Sequence, residues 1–196
     1  MGKDARRGRG ERNTRMARMG EKRVTGWNVF WFYGLPLLLW MGLIFLMSSQ
    51  PYERQNLQPV IGEHVPGGLV ERLFAWVRFS YGGSEVSVGE LGAAGFVEFF
   101  VRKAAHFAEF FVLGWLSGRL LRAWLGTGRS AAWRVGVAAL FCLFYAVTDE
   151  IHQSFTPQRT AHAADVLLDA VSGLIGAAAH AGAVRLAGKR KIARSR

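Results

Sequence analysis

Residues 27–47 read WNVFWFYGLPLLLWMGLIFLM, a run of 21 residues without a charged side chain. About 20 consecutive apolar residues suffice for a helix to cross the hydrocarbon core of a bilayer. Trp27, Trp31 and Tyr33 lie near one end of the run, where aromatic rings favour the membrane interface. The run therefore predicts a membrane-spanning helix. A cleaved signal peptide fits less well, because the run is longer than a signal core and no small-x-small motif follows it.

Three further segments have the length of a span but carry ionisable residues: 104–121, 132–150 and 164–184. They could instead be core helices of a soluble protein. The distribution of charge favours the membrane: with residue 1 in the cytoplasm and four crossings, 19 of the 25 Lys and Arg residues fall on the cytoplasmic side. Such an excess is what the positive-inside rule describes. The predicted fold is all-α, an integral membrane four-helix bundle (N-in, C-in) with a long extracytoplasmic loop after the first span.

These boundaries divide the chain into a basic cytoplasmic tail (1–26), a membrane domain (27–184) and a second basic tail (185–196). The net charge of +11 could indicate nucleic-acid binding. Topology accounts for the basicity, so we expect contact of the tails with anionic lipids and no nucleic-acid partner. The single cysteine, Cys142, falls inside the third span, which excludes an intrachain disulfide and a CxxC metal site.

The predicted outer loop, residues 48–101, has three parts. Its first part contains Pro51 and Pro59 and reads as irregular. The next part, GLVERLFAWVRF (68–79), has apolar residues at helical spacing, which predicts an amphipathic helix on the membrane surface or against the bundle. YGGS (81–84) then breaks the chain, and a helix starting near Ser87 is expected to run into the second span.

Ionisable residues recur near the outer ends of the second, third and fourth predicted spans. On a helical wheel Glu98, Arg102, His106 and Glu109 form one stripe, whereas Lys103 points away and is expected to reach the lipid headgroups. A charge at the bilayer centre costs at least about 2.5 kcal/mol, so a polar pocket open to the outside is predicted. Its predicted ligand-binding residues are Arg102, His106, Glu109, Asp149, Glu150, His152, Gln153, Arg159, Asp165 and Asp169.

Several motifs together resemble the VanZ-like family of bacterial membrane proteins. They are RKAAHFAEFFVLG (102–114), FYAVTDEIHQSFTPQRTAHAADVLLDAVSGLIG (144–176) and a preceding span that ends in MSSQ, and the resemblance covers roughly residues 30–184. The long basic N-terminus, the extended loop around 60–95 and Phe110, where Tyr is usual, depart from the pattern. The resemblance implies a multi-pass protein of the bacterial cytoplasmic membrane, with a connection to teicoplanin resistance, and it implies no mechanism.

Three functions remain open, and whether the chain is an enzyme is one of the open points. In the first, Arg102 and Arg159 hold the phosphate or carboxylate of an envelope lipid, a lipid-linked cell-wall precursor or a lipoglycopeptide. In the second, the chain is a hydrolase or transferase that acts within the membrane on a phosphate-containing lipid with a divalent metal. In the third, the charges are a structural network, although buried ion pairs are poor stabilisers. Catalytic and metal-ligand candidates are His106, Glu109, Asp149 and His152.

Overall fold

The first span is an almost continuous helix in the computed structural model, which describes residues 26–126, 128–156 and 162–194. It consists of α1 (Gly26–Val29), a π-helical turn (Phe30–Gly34) and α2 (Leu35–Ser48). Pro36 explains the wide turn, because proline cannot donate a backbone hydrogen bond and its ring clashes with the carbonyl four residues earlier. In the π turn the Leu35 N–H donates to the Phe30 carbonyl, five residues back. Residues 1–25 of the predicted N-terminal tail lie outside the described residues.

The outer region begins with three short helices, α3 (Tyr52–Gln55), α4 (Gln58–His64) and α5 (Gly67–Phe74). An antiparallel hairpin of β1 (Arg78–Tyr81) and β2 (Ser84–Ser87) follows. The predicted amphipathic helix is therefore confirmed only as far as Phe74, and the all-α prediction is wrong for residues 78–87. The reason is the two-residue turn: Gly82 and Gly83 both have positive φ, 60° and 87°, as a tight hairpin turn requires.

Three long helices complete the fold. Helix α6 (Val88–Leu125) is kinked at Gly92, whose φ of 69° and ψ of 167° are open almost only to glycine. Helices α7 (Ala131–Ser154) and α8 (Ala163–Arg194) follow. Serine side chains cap α6 and α7: Ser87 accepts from the Glu90 N–H, and Ser130 accepts from the Trp133 N–H. The predicted helix start near Ser87 is thus confirmed.

Among the described residues, three helices are long and apolar enough to cross a membrane, namely Gly26–Ser48, α7 and α8. They contain the predicted spans 27–47, 132–150 and 164–184. The second predicted span, 104–121, lies within α6, which is helical throughout this segment but is not apolar enough to count among these three.

The long helices pack around a shared apolar core formed by Leu37, Ile44, Phe110, Leu113, Cys142 and Ala146. Two hydrogen bonds tie the first span to its neighbours: the Trp40 indole donates to the Glu109 carbonyl at 2.9 Å, and the Tyr145 hydroxyl donates to the Met41 carbonyl at 2.6 Å. A smaller cluster of Val70, Val86, Val88 and Phe96 seats α5 and the hairpin on the first part of α6.

Glycines let α6 and α8 approach to backbone contact. A Cβ atom added at Gly176 would stand 1.9 Å from the Phe111 carbonyl oxygen, and one at Gly114 would stand 2.0 Å from the Gly173 carbonyl oxygen. Both distances are far below van der Waals contact, so only glycine fits. Small residues at a helix interface allow this kind of close approach between membrane helices.

Candidate functional site

Two adjoining cavities lie where the outer region meets the long helices. The hairpin cavity, about 370 Å³, is bordered by Tyr81 of the hairpin, Lys103 of α6 and Asp165 of α8. The Asp149 cavity, about 320 Å³, is bordered by Arg54 of α3, Glu109 of α6 and Asp149 of α7. Both are lined by Arg102, His106 and Gln153. The predicted polar pocket is thus two compartments with a common wall.

Lys103 forms an ion pair with Asp165 in the wall of the hairpin cavity. The Tyr81 hydroxyl donates to the same carboxylate oxygen at 2.6 Å. The prediction that Lys103 points away to the lipid headgroups is therefore wrong. Burial, together with the hydrogen bond to Asp165, raises the pKa of Tyr81 well above its usual range, so this phenol stays a donor.

Glu98 is the centre of a second network that fastens the short helices to α6. Its carboxylate, buried in the protein, accepts from the Leu57 N–H at 3.0 Å, the Tyr52 hydroxyl at 2.9 Å and the Gln58 amide at 2.9 Å. Burial, with the hydrogen bond to Glu98, raises the pKa of Tyr52. The Arg102 guanidinium lies over the Tyr52 ring, 5.0 Å from its centroid. This network therefore fixes the position of Arg102 between the two cavities.

His106 is held by Asp169, whose side chain is only 1% exposed. The imidazole Nδ1 lies 3.3 Å from one carboxylate oxygen and 3.4 Å from the other, and only the latter contact has hydrogen-bond geometry. A carboxylate in this position orients an imidazole ring and fixes which nitrogen carries the proton. The pair unites His106 and Asp169, two of the predicted site residues, which lie 63 positions apart.

Asp149 has one carboxylate oxygen satisfied and one unsatisfied. The Gln153 amide donates to Oδ2 at 2.8 Å. Oδ1 is buried and has no hydrogen-bond partner in the part of the chain that the structure describes, and the residue as a whole is 5% exposed. A buried acceptor without a partner is costly, typically about 1–3 kcal/mol. The Asp149 residue lines its cavity, whereas Oδ1 itself is closed to solvent.

Some predicted site residues lie elsewhere. His152 lines neither cavity: its ring stacks on Phe45 with centroids 4.3 Å apart, and Nε2 lies 2.9 Å from the Ser49 hydroxyl. Glu150 is buried and accepts from the backbone N–H of His162, so it fastens the start of α8. Arg159 lies outside the described residues.

The metal-ligand candidates do not form a cluster. Within residues 26–126, 128–156 and 162–194, no three His, Cys, Asp or Glu side chains are grouped so that they could hold a metal ion. One reason is visible at His152, whose Nε2 lies 2.9 Å from the Ser49 hydroxyl and away from both cavities.

Sequence reasoning missed the contribution of the outer region. Tyr52, Arg54, Gln58 and Tyr81 all line a cavity, although they lie 20 to 50 positions before the motifs that predicted the site. Only the Gly-Gly turn offered a local signal, because it predicts a hairpin and hence a folded loop. Nothing in the spacing of the other residues shows that they reach α6.

The fold and site define a class of mostly helical proteins with several helices long enough to span a membrane and a polar site at one end of them. A comparison with family models is in agreement: the VanZ/LLP1 model matches residues 30–183. The chain belongs to the VanZ/LLP1 family. No curated protein and no solved structure matches the chain significantly.

Proposed function

We propose that the chain binds the headgroup of a phosphate-bearing envelope lipid, or of a lipid-linked cell-wall precursor, in the Asp149 cavity. The observation that carries the proposal is the state of the two arginines that line it. Three ion pairs form among the described residues, and neither Arg54 nor Arg102 belongs to any of them. Two guanidinium groups that pair with no carboxylate in the described part of the chain are suited to a phosphate, which they bind by forked hydrogen bonds.

The remaining wall of the cavity suits the rest of a lipid. Met47, Leu57, Val101 and Ala105 supply an apolar surface beside the arginines. The Asp149 carboxylate in the same wall is the acceptor that we assign to a hydroxyl or ammonium group of the ligand. The favoured ligand thus has a phosphate, a donor group beyond it and an acyl or polyprenyl chain.

The proposal includes the topology that the charges predict. Helix α6 crosses the bacterial cytoplasmic membrane as a fourth span, both termini lie in the cytoplasm, and the cavities face outward. The ion pair of Lys103 with Asp165 and the pairing of His106 with Asp169 support this crossing, because they give two of the ionisable residues of α6 a partner inside the protein. A lipoglycopeptide such as teicoplanin has a lipid tail and anionic groups, so it is a candidate for the same cavity.

The test is equilibrium binding of short-chain phosphatidylglycerol to the purified full-length protein in detergent, with phosphatidylcholine as comparison. We expect Arg102→Ala to weaken binding of phosphatidylglycerol about tenfold or more, because a hydrogen-bonded charge contributes about 1.5–3 kcal/mol. Arg72→Ala is the matched control: Arg72 is an exposed arginine of the same outer region and lines neither cavity. Equal binding by both variants and the wild type would refute the proposal.

A second candidate function is a hydrolase or transferase that acts on the bound lipid. It is favoured by His106, which lines both cavities while Asp169 holds its Nδ1, an arrangement suited to general acid–base catalysis. A metal-dependent version has less support, because no group of three ligands occurs in the described residues.

One experiment distinguishes the two candidate functions. Purified wild-type protein, His106→Ala and His152→Ala are incubated with phosphatidylglycerol, the products are followed by mass spectrometry, and bound metals are quantified. Turnover that is lost in His106→Ala and kept in His152→Ala supports catalysis by the His106–Asp169 pair. Binding without any turnover excludes it.

A further inference from the structure

A separate, basic pocket lies at the opposite end of the long helices. This Arg122 pocket, about 100 Å³, is enclosed by the last part of α6, the first part of α7 and the second half of α8. Arg122 follows His106 by 16 positions on α6, which corresponds to about 24 Å along a helix. The pocket is therefore separate from both cavities of the candidate site. Its polar lining residues are Arg122, Arg134, His180 and Arg185, with no carboxylate among them.

One of the three arginines has a structural role. The Arg134 guanidinium donates to the Gly126 carbonyl at 3.0 Å and to the Arg129 carbonyl at 2.6 Å, which holds the linker between α6 and α7. The side chains of Arg122 and Arg185 take part in none of the hydrogen bonds or ion pairs found in the described part of the chain. Both residues line the pocket, and both are exposed, so an anion at the pocket can reach their guanidinium groups.

Like charges that converge in a small space repel one another, and an anion between them removes the repulsion. A guanidinium binds phosphate well because its planar fork matches two phosphate oxygens. The walls between the arginines are apolar, formed by Val135, Ala177, Ala181 and Val184. The Trp115 ring meets the His180 ring edge-on, with centroids 5.5 Å apart, and so fixes it at the pocket.

We infer that the Arg122 pocket binds the phosphate of an anionic phospholipid from the leaflet at this end of the helices. The small volume admits one phosphate group, the apolar walls contact the glycerol and the first acyl carbons, and the rest of the lipid stays in the bilayer. A basic pocket between helices at a membrane face is a recognised kind of site for such headgroups. The inference does not depend on the function proposed for the Asp149 cavity.

The test measures binding of phosphatidylglycerol and phosphatidylcholine with identical acyl chains to the full-length protein by native mass spectrometry. We expect the Arg122→Gln/Arg185→Gln variant to lose about tenfold in affinity for phosphatidylglycerol. Lys189→Gln/Arg190→Gln removes the same charge from the same end of α8 without touching the pocket, and we expect a change below about twofold. The same loss is expected in an Arg102→Ala background, which isolates this pocket from the Asp149 cavity.

Three results would overturn the inference. Equal losses in both double variants would indicate diffuse surface charge, and equal affinity of the wild type for the two lipids would exclude recognition of an anion. Competition by soluble glycerol 3-phosphate at the same concentration as the lipid would indicate a free phosphoryl compound as the ligand. If the double variant does not fold, Arg122→Gln and Arg185→Gln are tested singly, each with an expected loss of about threefold.

Discussion

Asp165 of α8 joins the outer region to the long helices. Its carboxylate accepts from Lys103 on α6 and from Tyr81 in the hairpin, so one anion links three elements. The side chain of Lys103 is 21% exposed and that of Asp165 is 9% exposed, so water screens the pair only in part. Removing either partner leaves a charge in a site that is mostly closed to solvent.

Lys103→Met should therefore lower the free energy of unfolding by about 3 kcal/mol, because it leaves the Asp165 carboxylate without its cation. The measurement is thermal or denaturant unfolding of the full-length protein in detergent. Adding Asp165→Asn to this variant should recover part of the loss. Lys189→Met, an exposed lysine at the other end of the chain, is the control and should change stability by less than about 0.5 kcal/mol. Equal effects of Lys103→Met and Lys189→Met would contradict the pairing.

Tyr81 gives a prediction about pH. Burial and the hydrogen bond to Asp165 raise its pKa in the folded protein above the ordinary value of 10.0. Its contribution to stability is therefore fully present below about pH 10 and is lost as pH rises through the folded-state pKa. The ultraviolet absorbance of tyrosinate, followed in wild type and in Tyr81→Phe, measures the difference. The phenol that titrates in the wild type but not in Tyr81→Phe is that of Tyr81. If it ionises near pH 10, the buried hydrogen bond is refuted.

At the scale of residues, the sequence predicted which ionisable groups enter the spans but not their partners. His106 and Asp169 were both recognised by their depth in a predicted helix, and the structure pairs them. Lys103 was misplaced because a helical wheel gives the direction of the Cα–Cβ bond and not the reach of a four-carbon chain toward a partner on another helix. Partners such as Tyr81 depend on how the outer loop folds back, which no local spacing encodes.

At the scale of elements, glycine determines how α6 meets α8. Gly176→Ala should destabilise the protein by about 2 kcal/mol or more, because the new methyl group meets a backbone carbonyl that cannot rotate away. Gly182→Ala on the same helix meets nothing within 4 Å and should be neutral or slightly stabilising. Unfolding of both variants in detergent compares them. Equal stability of the two would show that α6 and α8 do not touch at Gly176.

Hydropathy and helix caps predict the boundaries of the long helices better than turn residues predict the structure of the outer loop. The spans at 27–47, 132–150 and 164–184 correspond to described helices, since a long apolar run has few other structures open to it. The hairpin at residues 78–87 was not predicted, because Tyr81-Gly82-Gly83-Ser84 was interpreted only as a break. Its strands are four residues each, too short for alternation of apolar and polar residues to be distinctive.

At the scale of the whole molecule, the asymmetric distribution of Lys and Arg predicts both termini in the cytoplasm. Cys142 is the only cysteine and is fully buried, so single introduced cysteines report topology with little background. Ser154→Cys, at the end of α7 beside the candidate site, should react with an impermeant maleimide added to intact cells. Ser130→Cys, at the other end of the same helix, should react only after permeabilisation. The opposite labelling pattern would show that the predicted topology is inverted.

The whole-molecule fold was predictable as a helical membrane protein, but the position of the outer region was not. Charge and hydropathy indicate which residues enter the bilayer, whereas the seating of α5 and the hairpin on α6 depends on contacts of Val70, Val86 and Phe96 that are distant in sequence. These contacts close the hairpin cavity and bring Tyr81 to Asp165.

The function proposed here requires that the Asp149 cavity hold a phosphate-bearing lipid headgroup. The most direct measurement is a cryo-electron microscopy structure of the full-length protein in a lipid nanodisc that contains phosphatidylglycerol. We expect density for a phosphate within hydrogen-bond distance of the Arg54 and Arg102 guanidinium groups, with a donor group of the lipid at the Asp149 carboxylate. A cavity that contains only water, or Arg102 paired with a carboxylate of the protein, would contradict it.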